Sequence, residues 1–131
     1  VDELFSTNEA SDTQENVMDI EAKEPISYDD FAKLQIQIGE VISCEEVKKS
    51  KKLLCSQVKI GSQTRQILSG IKQWYSAKEM VGKKVCVLVN LEPRNIAGLM
   101  SEGMILCAED DEGNLSLMSS EKDIKAGSEI C

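Results

Sequence analysis

Apolar residues recur along this chain with a period of two, in runs bounded by glycine, serine and lysine. Leu34, Ile36 and Ile38 alternate with Gln35 and Gln37, and Val41 to Val47 continues the pattern. This predicts one long half-buried strand bent by a bulge at Gly39. Leu54, Val58 and Ile60 fall on one face of a second strand, Gly61-Ser62 reads as a turn, and Arg65 to Ser69 reads as a third strand. Lys84 to Leu91 is apolar on both faces, with Val85, Val87 and Val89 on one and Cys86 and Leu88 on the other, as a strand covered on both sides requires. Met104 to Ala108 makes a fifth strand, closed by the turn Asp110-Asp-Glu-Gly113 and followed by a short partner at Leu115 and Leu117.

Helical signals are brief. Ser27-Tyr-Asp-Asp30 and Ser76-Ala-Lys-Glu79 each place a hydroxyl at an N-cap with a carboxylate three residues on. They predict a turn of helix over 28–33 and another ending near Gly82, and a last capped turn is expected over 120–124. Five main strands with a short helix between the third and fourth is the order of a Greek-key oligonucleotide-binding barrel, although periodicity alone fits any small all-β barrel or sandwich.

With 131 residues there is room for one modest core, and with aromatics at only 4% that core is built from Val, Ile and Leu. Residues 1–25 carry only scattered apolar positions (Leu4, Phe5, Val17, Met18, Ile20), with at most a short helix over 17–22. They read as an acidic, disordered linker ahead of a domain over 26–131. Because the chain begins at Val, it is expected to be a piece of something longer.

The formal charge of −8 is unevenly placed. Residues 1–24 hold eight acids and one base, whereas residues 48–84 hold ten bases against the single acid Glu79. A local cluster attracts phosphate whatever the distant total, and the alternative is a solvated lysine-rich surface. The absence of histidine removes imidazole catalysis and histidine metal ligation, and no phosphate-binding glycine loop or nucleophile elbow is present. The five cysteines lack zinc spacing and read as small apolar residues in a reducing compartment. The acids Glu109 to Glu112 are contiguous, unlike the alternating ligands of a calcium loop. Binding is therefore favoured over catalysis, with no cofactor and no membrane span.

Three stretches carry a family resemblance: Ile26 to Val41, Lys51-Lys-Leu-Leu54 leading into Arg65-Gln-Ile-Leu-Ser-Gly-Ile71, and Asn90-Leu-Glu-Pro-Arg-Asn-Ile-Ala-Gly-Leu-Met-Ser-Glu-Gly-Met104. Together they resemble the tRNA-binding domain found at the C-terminus of many bacterial methionyl-tRNA synthetases and in free-standing tRNA-binding proteins. The resemblance implies an all-β oligonucleotide-binding barrel with short helices and a C-terminal extension. It further implies non-catalytic, largely sequence-independent tRNA binding, homodimerisation around the first strand and the C-terminal extension, a synthetase catalytic body in the same chain, and a cytoplasmic location. Carried over by residue, tRNA contacts fall on Lys51, Lys52, Arg65, Asn90, Arg94, Ser101, Gly103 and Met104. Lys48, Lys49 and Lys72 are further candidates, and Trp74-Tyr75 either stack bases or plug the barrel end. The family's Lys-Pro-Arg-Lys is here Glu92-Pro-Arg-Asn95, which implies weaker and less salt-sensitive tRNA binding. The alternative is a free-standing or chaperone-like dimerisation module with weak RNA binding.

Overall fold

The computed structural model describes residues 17–131, so residues 1–16 of the expected linker lie outside the described residues. Residues 17–27 form no helix. Ser27 then caps α1 (Tyr28–Ala32), its hydroxyl accepting from the Asp30 N–H as its sequence position predicts.

Five strands build one curled antiparallel sheet: β1 (Ile36–Glu46), β2 (Leu54–Ile60), β3 (Gln63–Ser69), β4 (Lys84–Leu88) and β7 (Met104–Ile105), in the order β3-β2-β1-β4-β7. β1 spans both halves because it is long. Its first residues pair with β4 (Ile36 opposite Leu88) and its last with β2 (Glu46 opposite Leu54). The second capping box is complete: Ser76 and Glu79 exchange hydrogen bonds at the start of α2 (Ala77–Met80), which drops Met80 into the barrel interior between β3 and β4. Val41, Leu54, Val58, Ile67, Met80, Val85 and Val87 are fully enclosed, a core of branched aliphatics as the composition requires.

The bulge expected at Gly39 occurs instead at Ile42, where register shifts between Val41 and Ser43. Gly39 serves another purpose. A methyl group there would stand 2.5 Å from Val58 Cγ1 and 3.2 Å from Ile60 Cγ1, so the missing side chain is what lets β1 curl over β2. β4 is shorter than expected, ending at Leu88. The run 104–108 is broken at Leu106 into β7 and β8 (Cys107–Glu109), because Leu106 donates to the Cys86 carbonyl and accepts from Met118. β8 then pairs with β9 (Leu115–Leu117) around the predicted acidic turn, which Asp110 caps by accepting from the backbone N–H groups of Glu112 and Asn114.

No capped turn forms over 120–124. That stretch is held open by Lys84, which bonds Asp123 and the Ile124 carbonyl, and the turn lies further on, at 126–127. Beyond it the C-terminal segment runs antiparallel to the start of β1. Gly127 and Ile130 donate to the Ile38 and Ile36 carbonyls, and Ile38 donates to Ser128.

A two-stranded hairpin absent from the sequence reading closes the barrel: β5 (Arg94–Ile96) and β6 (Leu99–Ser101), joined through Ala97-Gly98. Both turn residues have positive φ, +53° and +85°, the backbone of a type I′ connection. β6 and the residue after it lie against β3, where Glu102 N–H donates to the Gln66 carbonyl and the Gln66 amide donates to Met100.

Candidate nucleic-acid interface

The loop from β1 to β2 is where sequence placed the strongest positive charge, and Lys48, Lys49, Lys51 and Lys52 all stand exposed on it. Local bonds shape it: Lys52 N–H donates to the Ser50 hydroxyl, and Lys72 N–H donates to the Lys52 carbonyl. Lys72 thus joins the group, with its Nζ 3.3 Å from Glu46. Lys49 reaches across to the hairpin tip, its Nζ 3.9 Å from where a Gly98 methyl would sit. By contrast Lys78 lies on α2, Lys83 just before β4 and Lys84 at its first position. There Lys84 is committed to Asp123 at 2.7 Å and Lys83 stands 5.8 Å over the Tyr75 ring. The basic block of the sequence therefore divides, leaving one lysine-rich rim beside the β5–β6 hairpin.

Two clefts flank that hairpin. The first, about 370 Å³, lies between the lysine loop and the hairpin tip, with Lys48, Lys49, Gln57, Gln66 and Gly98 on its walls. The second, about 300 Å³, lies between the end of β3 and the hairpin base and includes Arg94 and Met104. In oligonucleotide-binding barrels the face of the second and third strands and the loops beside it receive nucleic acid, which is where the first cleft sits.

The eight expected contact residues fall into two groups. Lys51, Lys52, Arg94 and Met104 are exposed, Met104 at 42%, and the three cationic ends have no partner among the described residues. The polar atoms of the others are engaged by the fold. Arg65 donates to the Val89 carbonyl at 2.6 Å, to the Glu102 carbonyl and to the Gln63 amide, bracing the barrel seam. The Asn90 amide accepts from Gln35 N–H at 2.9 Å and donates to the Lys33 carbonyl at 2.7 Å, extending the β1–β4 ladder by one side chain. Ser101 is buried, and its hydroxyl accepts from Leu68 N–H at 3.1 Å while donating to the Gly103 carbonyl, taking the place of a backbone bond between β3 and β6. A methyl at buried Gly103 would crowd the Leu88 carbonyl at 3.2 Å. Trp74 and Tyr75 pack against the core and tie down the β8–β9 hairpin, the indole donating to the Gly113 carbonyl and the phenol accepting from Leu117 N–H.

Burial pushes the thiols of Cys44, Cys55, Cys86 and Cys107 up, against the thiolate a nucleophile needs. Hydrogen bonds from Asn114 hold the Asp110 carboxyl below its ordinary range, as a turn cap does. Among the described residues no cluster of acids and thiols is arranged to hold a metal ion, and no helix is long and apolar enough to cross a membrane.

Comparison with known proteins agrees with this geometry. The family model described as "Putative tRNA binding domain" matches residues 36–129. The methionine–tRNA ligase of Methanocaldococcus jannaschii is 51% identical over 110 residues, 84% of this chain and 17% of that protein. The corresponding ligase of Parabacteroides distasonis is 43% identical over 130 residues, 99% of this chain and 19% of that protein. The chain thus spans under a fifth of the length of these relatives. Among solved structures, the MetRS related protein from Pyrococcus horikoshii superposes with a TM-score of 0.79 at 32% identity, covering 83% of this chain and all of that one. Barrel, hairpin and sequence agree, and the chain belongs to the tRNA-binding domain family.

Proposed function

We propose that this domain binds tRNA without performing chemistry, as an appendage joined through residues 1–25 to the catalytic body of a cytoplasmic methionyl-tRNA synthetase, and that it pairs as a homodimer. The observation that carries the reading is the exposed loop of Lys48, Lys49, Lys51 and Lys52, two of which line a cleft against the hairpin tip, in a tRNA-binding barrel whose hairpin carries exposed Arg94 at its base. Lysines on a flexible loop follow phosphates without reading sequence, and their affinity comes from counterion release. That makes the grip largely sequence-independent. Lys51, Lys52 and Arg94 make the charged contacts and Met104 lies against a base. Arg65, Asn90, Ser101 and Gly103 hold the groove in shape, so their contribution to tRNA binding runs through the fold.

Dimerisation is supported by an apolar surface on one side of the barrel. Ile26 is 66% exposed, Tyr28 78% and Leu34 46%, all beside the start of β1, where the C-terminal segment also docks. Singly exposed apolar residues are ordinary, but three within nine residues of chain ahead of the first strand suit a surface that a second copy covers. Titration with whole tRNA at two salt concentrations, beside light scattering, tests both parts. Binding that weakens steeply with salt, by a particle of twice the chain mass, is the expected result. A salt-indifferent or absent interaction by a clean dimer points to a chaperone-like module instead, and a monomer overturns the pairing.

A further inference from the structure

The cleft at the hairpin base differs in character from the lysine-rich groove. Its walls include Leu91 and Met104, apolar and partly exposed, and the open backbone at Gly70, where an added methyl would meet nothing within 4 Å. The Glu92 carboxylate stands exposed on the same walls with no protein partner among the described residues, and behind them the Ser69 hydroxyl is buried and unpaired. A buried hydroxyl without a partner costs free energy, and an acid placed beside Arg94 works against phosphate binding. The acid does not suit a surface that only follows backbone charge, and with Leu91 and Met104 it suits a ligand that brings hydrogen-bond donors and a flat apolar face.

We propose that this cleft takes one unstacked guanine base, with Glu92 as its specificity determinant. A single-stranded guanine exposes N1–H and N2–H₂ side by side on its Watson–Crick edge, and a carboxylate accepts both in a charge-assisted, two-pronged contact. Uracil offers one N–H between two carbonyl oxygens that the carboxylate repels, while adenine and cytosine each offer one amine next to a ring acceptor. The ring lies between Met104 and Leu91, and Arg94 meets the phosphate of the same nucleotide. The inference rests on the tRNA-binding reading and adds one base-selective subsite to an otherwise sequence-tolerant grip.

The test uses fluorescently labelled short oligouridylates carrying one central G, A, C or U, titrated with the full chain, its Glu92→Gln variant and its Ser69→Ala variant. The wild type is expected to hold the G-containing strand about tenfold tighter than the all-U strand, the lower range of discrimination for a two-pronged contact in an open site. Glu92→Gln brings the four strands to within about twofold of one another without weakening the all-U strand, since it removes a negative charge from the groove. Ser69→Ala, whose hydroxyl is sealed behind the wall, leaves the melting temperature unchanged or raised and the preference for G unchanged. Equal binding of all four strands by the wild type overturns the proposal, as does a preference for G that survives Glu92→Gln. Whole tRNA titrated in parallel separates the two levels: tRNA bound with equal oligonucleotide affinities removes the guanine subsite alone, and no binding of either removes the tRNA-binding reading with it.

Discussion

Ser101 is a motif residue whose hydroxyl is already committed within the fold. Its hydroxyl fills the position of a backbone group in the seam between β3 and β6, satisfying Leu68 N–H and the Gly103 carbonyl inside the barrel. Ser101→Ala leaves that N–H buried and unpaired, which costs about 1–3 kcal/mol; urea unfolding is expected to show this as a lower midpoint at unchanged slope. Arg94, exposed and without a partner among the described residues, behaves oppositely. Arg94→Ala changes stability by less than about 0.5 kcal/mol, while tRNA affinity falls and the salt slope shrinks by about one. The sequence placed these residues in one motif but did not divide them by role. That division depends on which donors and acceptors the folded backbone leaves over, a tertiary fact with no local sign.

At the scale of elements, long strands and capped helices were legible because each carries its own signal. Alternation marked β1 to β3, the two-faced apolar run marked β4, and the pairs Ser27/Asp30 and Ser76/Glu79 marked both helices. The β5–β6 hairpin was not, since its strands are three residues long, largely exposed, and joined by Ala97-Gly98. Alanine is a poor signal for a left-handed turn because it does not favour that backbone. Ala97 nevertheless takes φ +53°, and a non-glycine residue there is strained. Ala97→Asn, giving the Asn-Gly pair that type I′ turns prefer, is expected to stabilise the domain by about 0.5–1 kcal/mol with tRNA affinity retained, read by thermal unfolding. The misplaced bulge has a comparable cause. Gly39 marks a close approach between strands, and sequence alone does not distinguish that from a bulge.

For the whole molecule, the arrangement of charge decides more than its sum. Lys48, Lys49, Lys51 and Lys52 stand exposed on one loop while Lys72 is paired with Glu46 and Lys84 with Asp123, so a chain of net charge −8 keeps a cluster of unpaired lysines, among the described residues, beside a cleft that also carries Glu45 and Glu46. Glu92 lines the cleft at the hairpin base, and the Asn95 side chain accepts from Gly98 N–H at its tip. Replacing both by lysine adds two cationic contacts, and the salt slope of tRNA binding is expected to steepen by about one and a half to two, with higher affinity at low salt. Equal slopes for the double variant and the parent count against a phosphate-tracking groove at the hairpin. The central claim, that tRNA is held by the lysine loop and the hairpin arginine, is tested most directly by tRNA affinity as a function of salt for the parent and the Lys51→Ala/Lys52→Ala/Arg94→Ala variant. The variant is predicted to unfold at the parent's midpoint, bind more weakly, and show a slope shallower by about two to three; an unchanged affinity and slope in a folded variant would contradict the account.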